Sequence, residues 1–184
     1  MKPFFISFGS IRITWFMFFS LISIVSGYII LKIKSKETNL DFKILEDGYF
    51  YLVLFSFIGS RFFYVIVNFD LYKNDFFSIF RLNHNNLSLI GGVFTGILII
   101  LIFSRYKNIS FKKIFNVYVY SFYLAMGIGV WSIKFQSFYK NENILLISSV
   151  IFLIGILIEE LTKEYEGLTF IIFSVILISN IILL

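Results

Sequence analysis

The sequence predicts an all-α protein, a polytopic helical bundle that crosses a membrane about six times with its N-terminus outside. Of its 184 residues, 59% are hydrophobic, whereas soluble domains contain roughly 45–50% apolar residues. The mean hydropathy is +0.90, and the apolar residues fall into long stretches separated by polar connectors. No linker or repeat divides the chain, so we expect a single membrane domain over residues 1–184.

Six stretches are candidates for membrane-spanning helices. A helix needs about 20 apolar residues to cross a bilayer, and fewer where the bilayer thins locally. The candidate spans lie near residues 11–31, 48–69, 87–103, 114–135, 144–158 and 168–184. The first lacks a small-residue cleavage site and is followed by a basic cluster, so it predicts a retained helix and not a signal peptide. The fifth is short, and either a full span or a half-helix is compatible with it.

The connectors predict the orientation. Cytoplasmic loops carry an excess of Lys and Arg. The first and third connectors hold the basic clusters, which are Lys32, Lys34, Lys36 and Lys43, and Arg105, Lys107, Lys112 and Lys113. The second and fourth connectors hold fewer basic residues, namely Lys73, Arg81 and Lys140. The odd-numbered connectors are therefore expected inside, and both termini outside.

The composition excludes several kinds of site. The chain has no Cys and a single His, His84, so disulfides, thiolate catalysis and metal sites built on Cys or several His are impossible. We expect no cofactor and no metal. The net charge of +5 reflects orientation signals, and it does not indicate binding to nucleic acid.

One arginine lies inside an apolar stretch. In "FIGSRFFYVIV", residues 57–67, Arg61 is the only charge between Gly48 and Phe69, about 12 Å from the outer end of its predicted span. A charge at the bilayer centre costs about 2.5–3.5 kcal/mol and usually has a partner. All eleven acidic residues lie in connectors or at their margins. The favoured partner is an outer-leaflet lipid phosphate; the alternatives are snorkelling and bonds to carbonyls near Gly59.

Other polar or small residues are predicted at the same depth as this arginine, and the inner half of the bundle shows nothing comparable. They are Arg12, Trp15, Ser88, Gly91, Gly92, Gly127, Gly129 and Lys134. By pattern alone, Gly91, Gly92 and Gly96 favour helix packing over ligand approach. His84 is typical of a solvated loop, and Lys134 of a side chain that snorkels at a helix end.

Two segments resemble the prolipoprotein diacylglyceryl transferase family. "FIGSRFFYV" and "FRLNHNNLSLIGGVFTGILIILIFSRYKNISF" follow its order of Gly-Gly-Arg-x-x-Tyr, a short outer loop, Ser-Phe-His-Gly-Gly, an apolar span and a basic turn. The similarity runs from about Ile44 to Gly129, and "FGSIRITWF" is similar to the family's first-span entrance.

The resemblance implies a reaction. The family transfers a diacylglyceryl group from phosphatidylglycerol to a lipobox cysteine at the outer face of the plasma membrane and releases glycerol phosphate. By resemblance, Arg61 would hold the lipid phosphate, with Tyr64 beside it. Ser88, Gly91 and Gly92 would form a segment whose backbone can come close to the ligand. The implied partners are phosphatidylglycerol, a lipobox-containing prolipoprotein and the bilayer.

The chain departs from the family pattern at positions that carry polar groups. Apolar or small residues replace the family's His, its first-span Tyr and its Gly-Arg-x-Gly-Asn run, at Ile90, Phe16, Val130, Ser132 and Ile133. Lys134 is the candidate to replace the cation lost at Val130, and His84 is the candidate to act as the base. Two hypotheses therefore stay open, a divergent transferase and a non-catalytic relative that binds anionic lipid or a membrane partner. A transporter-like bundle ranks last, because transporters place polar residues through both halves of the membrane.

Overall fold

The computed structural model describes residues 4–8, 11–73, 77, 79, 86–135, 142–163, 165 and 167–183. An antiparallel hairpin precedes six α-helices in this part of the chain. The elements are β1 Phe4–Phe8, β2 Ile11–Thr14, α1 Trp15–Glu37, α2 Phe42–Val67, α3 Leu89–Tyr106, α4 Phe111–Gly129, α5 Glu142–Leu161 and α6 Thr169–Leu183. Short 3-10 helices follow α2 and α4, at Phe69–Leu71 and Val130–Phe135.

Five helices, α1 to α5, are long and apolar enough to cross a membrane. The sixth, α6, is apolar but has only 15 residues. The prediction of an all-α polytopic membrane bundle is confirmed. The short fifth span is a helix of 20 residues, so it has the length of a full span.

The first helix begins later than predicted. Residues 11–14 form β2, which pairs with β1 in a register that sets Phe8 opposite Ile11. The helix begins at Trp15 because Thr14 caps it: the Thr14 hydroxyl accepts a hydrogen bond from the Met17 amide at 3.2 Å. A capping threonine satisfies one of the amides that a helix start leaves without a partner.

Two helices end at an asparagine with positive φ. After α1, Asn39 has φ 53°, and after α3, Asn108 has φ 54°. Asn tolerates this left-handed conformation better than most residues, because its short polar side chain bonds locally. These residues therefore terminate α1 and α3.

The chain divides into two compact units, one formed by Met1–Phe42 with Phe115–Leu184, and the other by Lys43–Ile114. In the first unit, α4 packs against α5 and α6. The Phe122 ring contacts Phe152 and Phe173 edge-on, with centroids 6.0 and 5.2 Å apart. Trp15 stacks on Phe135 at 4.1 Å, which joins the start of α1 to the 3-10 helix after α4.

The second unit consists of α2 and α3 with their connector. Small residues form the contact between the two helices. Gly59 lies against the Thr95 side chain, and a Cβ on Gly96 would stand 2.9 Å from the Ser56 hydroxyl. Close approach through small residues is the usual packing mode of helices in lipid, so packing explains Gly59, and the packing interpretation of Gly96 is correct.

Candidate functional site

Arg61 is buried on α2, with 7% of its surface exposed, and it bonds to the connector between α2 and α3. Its Nε and Nη2 donate to the Ile79 carbonyl at 3.1 and 2.9 Å, and its Nη1 donates to the Asn86 carbonyl at 3.0 Å. The guanidinium carbon lies 5.4 Å from the centre of the Tyr72 ring. Arg61 therefore holds the connector at two points, which the sequence did not predict.

Ser88 joins the connector to α3. Its amide donates to the Ser60 carbonyl of α2 at 3.1 Å, and its hydroxyl caps α3 by accepting from the Gly91 amide at 3.2 Å. Because Ser60 precedes Arg61, the start of α3 and the arginine are fixed to the same turn of α2. Capping of this kind is worth about 1 kcal/mol.

The adjacent glycines have different surroundings. A Cβ on Gly91 would overlap the Phe63 side chain and stand 3.1 Å from the Gly59 carbonyl oxygen. A Cβ on Gly92 would make ordinary contacts, 3.4 Å from Ser60 Cβ at the nearest. Packing against α2 therefore explains Gly91, and packing alone does not explain Gly92.

Tyr64 lies less than one turn after Arg61 on α2 and is half-buried. Its backbone carbonyl accepts from both the amide and the side chain of Asn68, at 3.0 and 2.9 Å, at the end of the helix. The second unit thus holds all five residues to which the sequence assigned phosphate binding, on one turn of α2 and the first turn of α3.

The two replacement candidates are not in that group. His84 lies outside the described residues. Lys134 belongs to the first unit, on the 3-10 helix after α4, where its ammonium lies 3.1 Å from the Glu142 carboxylate. This ion pair joins Lys134 to the first residue of α5.

A second polar cluster lies in the first unit, where α1 and α5 end. The Lys34 ammonium contacts the Glu160 carboxylate of α5 at 2.5 Å and Glu37 at 2.8 Å. It also lies 4.6 Å from the centre of the Tyr120 ring of α4. Three helices therefore meet at one lysine, whose side chain is only 11% exposed.

Glu159, which precedes Glu160 in α5, is almost completely buried, with 2% of its surface exposed. The Tyr123 hydroxyl of α4 donates to its carboxylate at 3.3 Å. The sequence showed nothing comparable in the predicted inner half of the bundle, but the helix ends that the predicted orientation assigns to that side carry this buried polar cluster. Two adjacent glutamates, Glu159 and Glu160, at the end of an apolar run were a sequence signal for this cluster. Their partner Lys34 is 126 residues from Glu160, so a local sequence pattern could not identify it.

Residues 3–137 match the family model for prolipoprotein diacylglyceryl transferase. The matched range contains the hairpin, α1 to α4 and the 3-10 helix after α4, and α5 and α6 lie beyond it. The five proposed phosphate-binding residues, together with His84 and Lys134, all fall within the matched range.

Relatives named phosphatidylglycerol–prolipoprotein diacylglyceryl transferase agree with this match. The protein of Listeria innocua is 30% identical over 131 residues, which make up 71% of this chain and 47% of the relative. That of Clostridium kluyveri is 28% identical over 142 residues, 77% of this chain and 54% of the relative. That of Clostridium perfringens is 27% identical over 142 residues, with shares of 77% and 52%. The chain spans about half the length of these curated relatives, and it belongs to the prolipoprotein diacylglyceryl transferase family.

Proposed function

We propose that this chain transfers a diacylglyceryl group from phosphatidylglycerol to the cysteine of a prolipoprotein. The observation that carries the proposal is the family match over residues 3–137, which includes the buried Arg61 and the start of α3. The relatives' names state the same lipid donor and the same protein acceptor.

In this reaction the cysteine sulfur attacks the glyceryl carbon that carries the phosphate. A carbon–sulfur bond forms, the carbon–oxygen bond to the phosphate breaks, and glycerol phosphate leaves with the bonding electrons. The thiol loses its proton during the attack. A protein accelerates this step by favouring the thiolate and by stabilising the charge that develops on the departing phosphate.

Arg61, Tyr64, Ser88, Gly91 and Gly92 form the proposed region for the lipid phosphate. At least three of the five N–H groups of the Arg61 guanidinium donate to connector carbonyls. A phosphate that binds there would therefore compete with these carbonyls for the guanidinium. At Gly92 a Cβ would make only ordinary contacts with Ser60 and Ser56 of α2, so packing does not require a glycine there and a role in ligand approach is part of the proposal.

The proton acceptor stays a prediction. His84 is its candidate, and Lys134, whose ammonium pairs with Glu142, is the candidate for the cation that Val130 replaces. The proposed setting is the outer face of the plasma membrane, with the N-terminus outside and the chain acting as one membrane domain. The basic residues near the C-terminal ends of α1 and α3 support this orientation.

Complementation tests the proposal. The chain is expressed in a bacterium whose own diacylglyceryl transferase can be depleted, beside the variants Arg61→Ala and Gly92→Leu. We expect rescue by the unaltered chain and loss of rescue by both variants, with all three found at equal amounts in the membrane. Tyr165→Phe, an exposed change outside the matched region, is the control that should rescue.

Absence of rescue by a chain confirmed in the membrane would overturn the proposal. The lipids that co-purify with the chain then test the non-catalytic alternative. Enrichment of phosphatidylglycerol that disappears in Arg61→Ala would identify a lipid-binding relative without transferase activity.

A further inference from the structure

The lysines at the end of α1 face two different environments. Lys34 points toward α5 and is neutralised by Glu37 and Glu160. Lys32 and Lys36 are exposed on another face of the helix. Within the described part of the chain, no carboxylate pairs with either of them. At the end of α1, Lys34 therefore joins two helices, whereas Lys32 and Lys36 are available to a ligand.

Lys32 and Lys36 border a groove of about 340 Å³ along this face of α1. Its other lining residues are Tyr28, Ile29 and Ile33. Side chains four residues apart on a helix are neighbours, with Cβ atoms about 5–6 Å apart. The two ammonium groups can therefore approach one phosphate from successive turns, while the apolar side chains continue the groove toward the middle of the helix.

Phe42 contributes to the same region, because it returns toward α1 after the connector. Its ring packs edge-on against Tyr28, with centroids 5.7 Å apart, and the Lys32 ammonium lies 5.9 Å from its centre. These contacts keep Lys32 beside the aromatic pair. The groove thus combines a cationic end at the membrane boundary with an apolar end in the predicted span.

We propose that this groove binds an anionic phospholipid, with the phosphate between Lys32 and Lys36 and an acyl chain along Tyr28, Ile29 and Ile33. The two lysines complement the anionic headgroup of such a lipid, and the apolar side chains complement its acyl chain. Basic residues next to a membrane helix attract anionic lipids, and an acyl chain gains from contact with apolar side chains. The site is separate from the Arg61 region, which lies on α2 and α3, and it does not depend on transferase activity.

Photo-crosslinking tests the proposal directly. The purified full chain is reconstituted in phosphatidylcholine vesicles that contain a minor fraction of phosphatidylglycerol with a photoreactive acyl chain. Cross-linked peptides are mapped by mass spectrometry, so that labelling of residues 28–37 is measured separately from labelling near Arg61. A photoreactive phosphatidylcholine at the same fraction is the neutral probe.

We expect the anionic probe to label residues 28–37 more strongly than the neutral probe does. The double variant Lys32→Gln/Lys36→Gln should lower this labelling about tenfold, because it removes both cations at the headgroup level. Lys32→Arg/Lys36→Arg should retain it. The matched control is Lys112→Gln/Lys113→Gln, which makes the same charge change at two exposed lysines that do not line the groove.

Equal loss in the two Gln variants would overturn the proposal in favour of general surface charge. Equal labelling by the anionic and neutral probes, or unchanged labelling in Lys32→Gln/Lys36→Gln, would also overturn it. The elution profile of each variant in size-exclusion chromatography verifies folding. The Arg variant separates loss of charge from a general disturbance of α1.

Discussion

At the scale of single residues, we expect alanine at Gly91 and alanine at Gly92 to have different effects on stability, although the two glycines are adjacent in α3. Gly91→Ala should lower the free energy of unfolding by about 1–3 kcal/mol, because the new methyl group overlaps Phe63. Gly92→Ala should leave it unchanged or raise it by up to about 1 kcal/mol, because its methyl group makes ordinary contacts and alanine favours a helix over glycine. Thermal unfolding of the purified variants in detergent measures both. Equal destabilisation by the two substitutions would contradict the packing described for α2 and α3.

Arg61 holds the connector between α2 and α3 by hydrogen bonds to the Ile79 and Asn86 carbonyls. Arg61→Ala removes the charged donors from the Ile79 and Asn86 carbonyls, and hydrogen bonds to charged groups are worth about 1.5–3 kcal/mol. We expect faster amide hydrogen exchange at Ser88 and in the first turn of α3, because the connector is no longer held to α2. Lys73→Ala, a change at an exposed residue of the same connector, is the control. Exchange at Ser88 that is unchanged in Arg61→Ala would show that the arginine does not hold the connector.

At the scale of helices, the contact between α1 and α5 depends on one carboxylate with two lysine partners. Lys34 reaches Glu160 from α1 and is 11% exposed, whereas Lys163 reaches it from the following turn and is 62% exposed. Lys34→Gln should therefore destabilise the chain by about 1–2 kcal/mol, and Lys163→Gln by less than about 0.5 kcal/mol. A double-mutant cycle with Glu160→Gln gives the coupling energy of each pair. Equal coupling for the two lysines would contradict a joining role for Lys34.

The helix boundaries show what a hydropathy pattern can predict. The fifth span was expected over residues 144–158, and α5 runs from Glu142 to Leu161. Charged residues end an apolar stretch, but they are good helix formers and continue the backbone hydrogen bonds. The error at the start of α1 has another cause: residues 11–14 pair with β1, and short apolar runs do not distinguish a strand from a helix.

At the scale of the whole molecule, sequence patterns identified the membrane class, the helices and the family. They also selected Arg61, Ser88 and Gly91, which the structure brings together in the second unit. They did not find the carbonyls that bond Arg61 or the partner of Lys34, because these contacts join residues that are distant in the chain. Hydropathy measures how much a segment prefers lipid, and it carries no information about which segments meet.

The region beyond the family match is integrated into the first unit. The Ser148 hydroxyl of α5 lies 2.5 Å from the side-chain oxygen of Asn180, which belongs to α6 and is completely buried. The Ser149 hydroxyl donates to the Gly127 carbonyl of α4 at 2.6 Å. These bonds attach α5 and α6 to α4, the last helix in the matched range. Loss of either helix should therefore disturb the matched part as well.

The most direct test of the central claim is transfer by the purified chain itself. The chain in phosphatidylglycerol vesicles is incubated with a synthetic lipobox peptide, and the peptide is analysed by mass spectrometry. We expect the mass of one diacylglyceryl group on the cysteine, with glycerol phosphate released in equal amount and no product from a peptide with Ser in place of that Cys. An unmodified peptide, under conditions in which the Listeria innocua relative modifies it, would contradict the proposed transferase activity.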